Sequence, residues 1–550
     1  MNRKTIISSM LLCCFINGFA QMKEKVDLIV TNGVIYTVDS RNSTAGSMVI
    51  KNGKILAIGK DRIISDGYQA DSTIDLGGKA VFPGFIDAHC HFLGFALGLQ
   101  FIDLRGSKSF EEVLQRLQTK KGTVATQWIV GRGWDQNLWV GKHFPDNNQL
   151  DQLFPKTPVM LIRVDGHVVL ANRAALTLAG IGKDHHFKAM EVEVKDGRLT
   201  GILSETAADL MRDAVPKPNG KELIDLVKEA EQQCFSKGLT IVSDAGLDHS
   251  QVKFIDSIQR SGILNMQMYC MLTPTKKNLK EFVKNGPYIT DKLMVRSIKV
   301  YADGSLGSHT AALKHSYTDE PYGSGIIVTT PDSLRLLCKL ALEHGYQVNT
   351  HCIGDSANKL VLDIYGSFLK GRNDHRWRIE HAQVVDPADL HLFGEYSVIP
   401  SVQATHATSD MYWAERRLGP IRIKGAYAYK LLLRQNGWIA NGTDFPVENI
   451  SPLFTFYASV TRQDLQGFPE GGFQMENSLS REETLRSITI WAAKADFMEK
   501  QKGSLEVGKD ADFIILDQDI MRIPVRSIPD IKVIKTFIGG KEVFSLKNVN

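Results

Sequence analysis

The sequence lacks the features that mark membrane-spanning, nucleic-acid-binding or disulfide-stapled proteins. Among its 550 residues, no continuous apolar run approaches the ~20 residues that a spanning helix needs. Neither charge is in clear excess, since 65 Lys and Arg stand against 61 Asp and Glu, and there is no internal repeat or low-complexity run. Cysteine is scarce, with seven in all, and those beyond the N-terminal segment are odd in number and widely spaced. This spacing predicts free buried thiols at five positions: Cys90, Cys234, Cys270, Cys338 and Cys352.

What is present is ordinary for a globular protein with a large core, with 43% apolar and 23% charged residues. The N-terminus differs, because Arg3 and Lys4 precede an apolar run over residues 6–16 and small residues that end at Ala20. We expect residues 1–20 to be a signal peptide and the protein to be exported, periplasmic or secreted. A lipid anchor on Cys13 or Cys14 is less favoured, because LLCC lacks the small residues expected before a lipidated cysteine.

Short β-type runs separated by Asn-Gly and Gly-Lys turns occupy both ends of the remaining chain. VDLIV, VIYTV, SMVI and KILAIG fall within residues 21–80, and ADFIILD and VIKTFIGGKEVF fall within residues 496–550. The two ends are therefore predicted to form one small β-sandwich domain.

Between these ends, apolar runs of strand character alternate with helical patterns, which predicts an α/β fold. Eight such strands are typical of a (β/α)8 TIM-type barrel, here over residues 81–495, with its active site at the C-terminal strand ends. The gap after the first run is too long for one helical crossover, which predicts an insertion at about residues 92–230. The eight runs are 80–89, 239–245, 266–272, 293–303, 347–351, 376–382, 397–404 and 438–444.

The first run, VFPGFIDAHCHF, ends in polar residues that alternate along the chain. Side chains in a strand point to opposite faces in turn, so Asp87, His89 and His91 share one face. Two imidazoles at the end of a buried strand suggest a metal ligand pair. The alternative for this motif alone is two histidines satisfied in a core or loop.

Other strand ends carry matching chemistry. Lys299 lies on the fourth run, His351 and His381 end the fifth and sixth, and Asp444 ends the eighth. With His89 and His91 they form a set of nitrogen and oxygen donors at one barrel mouth, which suits a divalent metal with an open position for water.

The sequence resembles the amidohydrolase superfamily, in particular the branch called amidohydrolase family 3. The motifs that carry the likeness are PGFIDAHCH, IKVYADGSLGSHTA, THCIGD, IEHAQ, NGTDFPV, WAAKA and GSLEVGKDADF. The resemblance implies a barrel embraced by a β-sandwich, and metal-dependent hydrolysis of carbon-nitrogen bonds other than peptide bonds. It also implies a metal set in which His89 and His91 bind one ion, His351 and His381 bind the other, N-carboxylated Lys299 bridges them, and Asp444 completes the site.

The residue chemistry agrees with this implication. A bound metal lowers the pKa of water and polarises a carbonyl. Asp444 would act as general base towards the water and then as general acid towards the leaving amine.

Weaker candidates surround this set. Asp303, and Arg163 with His167 in the RVDGH motif, could contact substrate, or they could shape a turn and a structural network. Glu380 could orient a ligand or join a barrel–helix salt bridge.

We therefore expect a hydrolase of an amide, formamide or cyclic amide in a small molecule, using one or two divalent ions of the zinc type. The first alternative is an ester or lactone hydrolase on the same site. The second is a periplasmic binding protein that holds a metal or ligand without turnover. The sequence indicates no nucleic-acid partner, and it leaves the substrate, the metal and the oligomeric state open.

Overall fold

The computed structural model describes residues 23–60, 67–119, 128–164, 166, 168–182, 191–216 and 218–547. The predicted signal peptide, residues 1–20, lies outside these ranges. Within them, no helix combines the length and the apolar character needed to cross a membrane.

Eight parallel strands form a nearly closed barrel, and this confirms the predicted TIM-type fold. Successive strands are hydrogen-bonded neighbours from the first to the eighth. The barrel strands, named 1 to 8 below, are Phe85–Cys90, Leu239–Leu247, Gln267–Leu272, Leu293–Tyr301, Gln347–Cys352, Arg378–His381, Ile399–Val402 and Ala440–Asn441. A short strand, Tyr288–Ile289, pairs antiparallel with strand 4.

The predicted first run, 80–89, is two strands rather than one. Ala80–Pro83 belongs to the sandwich, where it pairs antiparallel with Phe513–Leu516, and barrel strand 1 begins at Phe85. The chain changes sheets at Gly84, whose amide donates to the Asp512 carbonyl, while the next amide donates to Gly238. A Cβ at residue 84 would lie 2.3 Å from Thr240 Oγ1, so this crossing needs glycine.

Helices alternate with the barrel strands along the chain. The helix after strand 4, Pro331–His344, shows why they form: Thr330 caps its first turn, proline occupies its first position, and left-handed Gly345 ends it. The barrel helices are Phe92–Gly98, Gly220–Ser236, His249–Arg260, Lys276–Glu281, Pro331–His344, Asp355–Leu369, His391–Glu395, Ala404–Asp410, Ala414–Arg422, Tyr429–Asn436, Pro452–Thr461, Arg481–Ser487 and Ile490–Ala495.

The segment between strands 1 and 2 carries a mixed six-stranded sheet with its own apolar cores. Its strands are Ile102–Asp103, Ile129–Trp134, Val159–Arg163, Val168–Ala171, Val192–Lys195 and Arg198–Ser204. Its helices are Phe110–Thr119, Asn148–Leu153, Arg173–Leu178 and Glu205–Ala214.

Short 3₁₀ turns occur in several parts of the described chain, at Gln136–Leu138, Val283–Asn285, Ile423–Gly425, Met475–Asn477 and Val525–Asp530.

Two further sheets share a core to which both ends of the chain contribute, including Leu28, Ile55, Phe513 and Phe537. One sheet contains Glu24–Thr31, Ser47–Lys51, Lys54–Gly59 and Tyr68–Asp75. The other contains Val34–Tyr36, Thr44–Ala45, Ala80–Pro83, Phe513–Leu516, Val533–Ile538 and Lys541–Ser545. The five cysteines predicted as free thiols are free and buried.

Candidate metal centre

Histidine side chains from several strand ends meet at the C-terminal mouth of the barrel. The ring centroid of His381 lies 4.9 Å from that of His89 and 4.7 Å from that of His351, and the rings of His89 and His91 are 5.7 Å apart. His89 and His381 are buried, whereas His91 is partly exposed on the side of the mouth. The fold thus brings together the four histidines that the sequence singled out.

Asp444 joins two groups of potential ligands. His89, His91 and Asp444 form one group, and His381, His406 and Asp444 form the other, with donor atoms within 4.8 Å of one another in each. Asp444 Oδ1 lies 3.2 Å from His91 Nε2 and 3.7 Å from His89 Nε2. It is buried and accepts no well-oriented hydrogen bond from the described part of the chain. A carboxylate oxygen in that state, beside imidazole nitrogens, fits a divalent metal.

Each inner histidine is held through its other ring nitrogen. His89 Nδ1 lies 2.5 Å from Glu380 Oε2, and His381 Nδ1 lies 2.7 Å from Gln403 Oε1. His351 Nε2 lies 3.1 Å from the Gly304 carbonyl. One nitrogen per ring therefore donates to a fixed acceptor, which leaves the opposite nitrogen as a lone-pair donor, the arrangement usual for metal-binding histidine.

The surroundings also keep these rings neutral. Burial, followed by the nearby positive charge of Lys299, places the pKa of His89 well below its ordinary value and lowers that of His351 to about 4. Burial and the neighbouring histidines have the same effect on the pKa of His381. Only the neutral imidazole carries a lone pair, so the donor set fits a metal at neutral pH.

Backbone strain accompanies this geometry. His381 and Asp444 adopt the left-handed region, with φ of 72° and 60°, which is uncommon for residues other than glycine. The Asp444 amide donates to the His89 carbonyl at 2.8 Å, and Thr443 donates to Asp87 through its amide at 3.0 Å and its hydroxyl at 2.7 Å. Asp87 therefore ties strand 1 to the loop after strand 8, although it shares the alternation of the two histidines.

Lys299 lies deep in the barrel beside His89. Its Nζ is 2.9 Å from His89 Nε2 and 5.0 Å from the ring centroid of Tyr301. Burial lowers the pKa of this amine, against the opposing charges of Glu380 and Asp444.

His406 is the member of the site that sequence reasoning missed. Its Nε2 lies 3.3 Å from Asp444 Oδ2 and its Nδ1 lies 3.0 Å from Glu448 Oε1. Burial opposes charge on both partners, but their neighbours outweigh it. The hydrogen bond with His406, together with His91 and His89, holds the pKa of Asp444 well below its ordinary value. The hydrogen bonds with Asp444 and Glu448 hold the pKa of His406 well above its ordinary value. A signal was available, because QATHATSD follows strand 7 directly and a histidine there lies at the same mouth.

The weaker candidates have contacts of their own. Asp303 is buried, and its oxygens accept from the amides of Ile353, Gly354 and Ala312 at 2.8–3.0 Å, so it organises the loops at the mouth. Burial raises the pKa of Asp303 to about 7. Its predicted contact with substrate has no support in these contacts and stays a prediction.

Arg163 lies in the insertion sheet, where it binds Gln136 and Asp135 at 2.8 and 2.9 Å. These contacts resemble the structural network that was the alternative, and substrate binding by Arg163 stays a prediction. His167 lies outside the described residues. Glu380 has the ligand-orienting contact with His89, and it also lies 3.9 Å from Arg378, which is buried.

Comparison with known proteins agrees with this architecture. The sequence model that describes the amidohydrolase family matches residues 72–544 of this chain. The chain is 32% identical to protein LONG AFTER FAR-RED 3 of Arabidopsis thaliana, over 94% of this chain and 91% of that one. It is 23% identical to an N-substituted formamide deformylase of Arthrobacter pascens, over 94% and 98%. The crystal structure of an uncharacterized metal-dependent hydrolase from Pyrococcus horikoshii is 28% identical and superposes with a TM-score of 0.77, over 90% of this chain and 99% of that one. The chain therefore belongs to the amidohydrolase family of metal-dependent hydrolases, which confirms the resemblance.

Proposed function

We propose that this protein hydrolyses a non-peptide carbon-nitrogen bond, in an amide, formamide or cyclic amide of a small molecule. The observation that carries the proposal is the position of Asp444, which belongs to both ligand groups and keeps Oδ1 beside His89 and His91. An ionised carboxylate in that place can accept a proton from water at the site and return it to a departing group.

Different residues of the site would bind the metal, orient the histidine rings and transfer the proton. His89 and His91 would hold one divalent ion, and His351 and His381 the other, with Asp444 shared. Zinc suits these nitrogen and oxygen donors. When bound, the metal supplies Lewis-acid polarisation of the scissile carbonyl and lowers the pKa of water. Glu380, Gln403 and the Gly304 carbonyl keep the rings oriented, and Asp444 moves the proton.

We propose further that Lys299 is N-carboxylated and bridges the two ions. In support, its amine is buried beside His89. Asp303 follows Lys299 on the chain and could otherwise pair with a charged lysine, but its carboxylate is occupied by three backbone amides. The reaction joins the neutral amine to carbon dioxide with release of one proton, and it gives an anionic oxygen donor where an ammonium group would offer none.

Amides are favoured over esters because an amine leaves only with a proton, and Asp444 can deliver one. The formamide deformylase relative supports a formyl group within this class. An ester or lactone hydrolase on the same site is the alternative, since polarised carbonyl and activated water serve both. A binding protein without turnover is disfavoured, because binding alone does not require a proton-transferring carboxylate.

The experiment compares purified protein before and after metal removal on matched N-formyl amines, N-acetyl amines, cyclic amides and esters of the same parent compounds. We expect turnover of amides or formamides that disappears on chelation and returns with zinc. Chelation should leave the circular dichroism unchanged, because the large core does not depend on the metal. Full turnover by protein shown to be metal-free would refute the metal-dependent reaction. Turnover of esters alone would favour the alternative.

We also propose that the protein is exported, on the basis of the basic and apolar character of residues 1–20. Fractionation of the source cells with N-terminal sequencing tests this. A mature N-terminus at Gln21 outside the cytoplasm is expected, and intact Met1 in the cytoplasm would contradict it.

A further inference from the structure

His406 and Glu448 form a pair whose geometry is directed at Asp444. His406 and Ser409 lie three residues apart on the helix Ala404–Asp410, so their side chains share one face. Both reach the same oxygen of Glu448, His406 Nδ1 at 3.0 Å and Ser409 Oγ at 2.6 Å. The imidazole is thereby fixed on one side by a carboxylate, and its Nε2 is left to face Asp444 Oδ2 at 3.3 Å.

The two oxygens of Asp444 consequently have different surroundings. Oδ2 is held by His406, whereas Oδ1 lies beside His91 and His89 without a well-oriented hydrogen bond from the described residues. A half-turn about the Cβ–Cγ bond only exchanges two equivalent oxygens, but a partial rotation would move both of them out of these positions. The contact with His406 opposes partial rotation, because the oxygen beside its Nε2 would lose a buried partner.

We propose that His406, oriented by Glu448, is a positioning residue that fixes the Asp444 carboxylate with Oδ1 turned towards the ligand groups. The inference rests on the proposed function, because it assigns His406 a task only if Asp444 moves the proton. The contact between His406 and Glu448 resembles that between His89 and Glu380, because in both a carboxylate oxygen holds the imidazole through Nδ1. The difference is that His406 Nε2 meets a carboxylate oxygen of the site.

Direct metal ligation by His406 is the competing role, since its ring groups with His381 and Asp444. The contacts favour positioning, because both ring nitrogens already lie within hydrogen-bonding distance of a carboxylate.

The experiment uses the metal-loaded full chain with His406→Ala and His406→Gln, each also combined with Asp444→Asn. Glutamine carries an N–H group at the reach of Nε2 and serves as the conservative variant. The exposed His391, whose Nδ1 contacts the Ala388 carbonyl outside the site, provides the control His391→Ala. The measurements are metal content, kcat and KM, and a crystal structure of each His406 variant.

We expect His406→Ala to lower kcat about 10- to 100-fold, as loss of an orienting partner does, with KM within about threefold and metal content unchanged. His406→Gln should recover part of kcat, and His406→Ala should cost nothing more in the Asp444→Asn background. A loss in that background equal to the loss in the wild type would overturn the proposal. So would loss of a metal ion in His406→Ala, which would make His406 a ligand.

The crystal structures separate this inference from the proposed function. If the wild type hydrolyses no compound of the panel, the proposed function fails, yet the positioning can still be read from Asp444. A rotated or doubled carboxylate in His406→Ala, restored to one orientation in His406→Gln, supports positioning. An unchanged Asp444 carboxylate in His406→Ala refutes it.

Discussion

Replacing Glu380 with Gln isolates the charge that orients His89. Glu380 and His89 are both fully buried, and Oε2 lies 2.5 Å from Nδ1. Glutamine has the same shape and keeps an oxygen that can accept from Nδ1, so the substitution removes the negative charge and little else. Arg378, 3.9 Å from the other Glu380 oxygen, keeps its ion pair with Asp496 and its 3.1 Å hydrogen bond to the Ala88 carbonyl.

The expected loss follows from the change in hydrogen-bond type. A bond to a charged acceptor contributes about 1.5–3 kcal/mol and a neutral one about 0.5–1.5 kcal/mol, so the difference is roughly 1–1.5 kcal/mol. Since about 1.4 kcal/mol corresponds to a factor of ten, Glu380→Gln should weaken metal binding by His89 about tenfold. Glu380→Ala, which leaves Nδ1 without its acceptor, should approach the ~100-fold end of the range for such partners.

The assay titrates metal-free protein with zinc in the presence of a competing chelator. Glu395→Gln is the matched control, because Glu395 is an exposed glutamate at the end of a barrel helix. We expect the control to bind like the wild type and all variants to unfold cooperatively at similar temperatures without metal. Wild-type affinity in both Glu380 variants would refute the claim that this carboxylate orients His89.

Three further predictions concern Asp444, Lys299 and Asp87. Asp444→Asn should lower kcat by at least ~100-fold, within the range of general acid-base catalysis, with metal still bound; retained turnover would place the base elsewhere. Lys299→Ala should lose one metal ion and activity, and a short carboxylic acid with zinc should partly restore both; two bound ions with near-normal turnover would exclude the bridge. Burial raises the pKa of Asp87 to about 7, above the ~3.9 of an unfolded chain, so the native state holds the extra proton and stability falls as pH rises between those values. Urea midpoints at pH 4.5 and 7.5 should differ less in Asp87→Asn than in the wild type, and an equal difference would contradict this.

The strand-end residues could be predicted because two regularities place them. Alternation along a strand puts His89 on the inner face, and a parallel barrel gathers the ends of all strands at one mouth. Neither regularity reports which acceptor lies behind each ring. The Gly304 carbonyl that holds His351 is backbone and has no signature in the sequence, and Gln403 is one glutamine among many until strand 7 places it beside His381.

His406 and the break at Gly84 escaped prediction for a related reason. His406 follows strand 7 on a helix, outside the period-two pattern that picked out the histidines of strand 1, and its task depends on Glu448 in a different loop. At residues 80–89 the apolar pattern is continuous, but the hydrogen bonds change from the sandwich sheet to the barrel at Gly84. Pairing partners distant in sequence decided the change of sheets at Gly84 and the task of His406, and the local sequence indicates only that His406 lies just after strand 7.

The placement of Asp444 and the closure of the barrel depend on the same hydrogen bonds. Strand 8 is two residues long, so it offers little ladder with which to meet strand 1. Three sets of hydrogen bonds complete the junction. Thr443 donates to Asp87, and the Asp444 amide donates to the His89 carbonyl. The His91 amide donates to the Phe445 carbonyl at 2.8 Å. These contacts hold Asp444 in a left-handed conformation that an isolated loop would leave, since strain of this kind persists only where the surroundings fix it. Because His89 and His91 are bound by the same junction, any change that loosens it should displace both histidines and the carboxylate together.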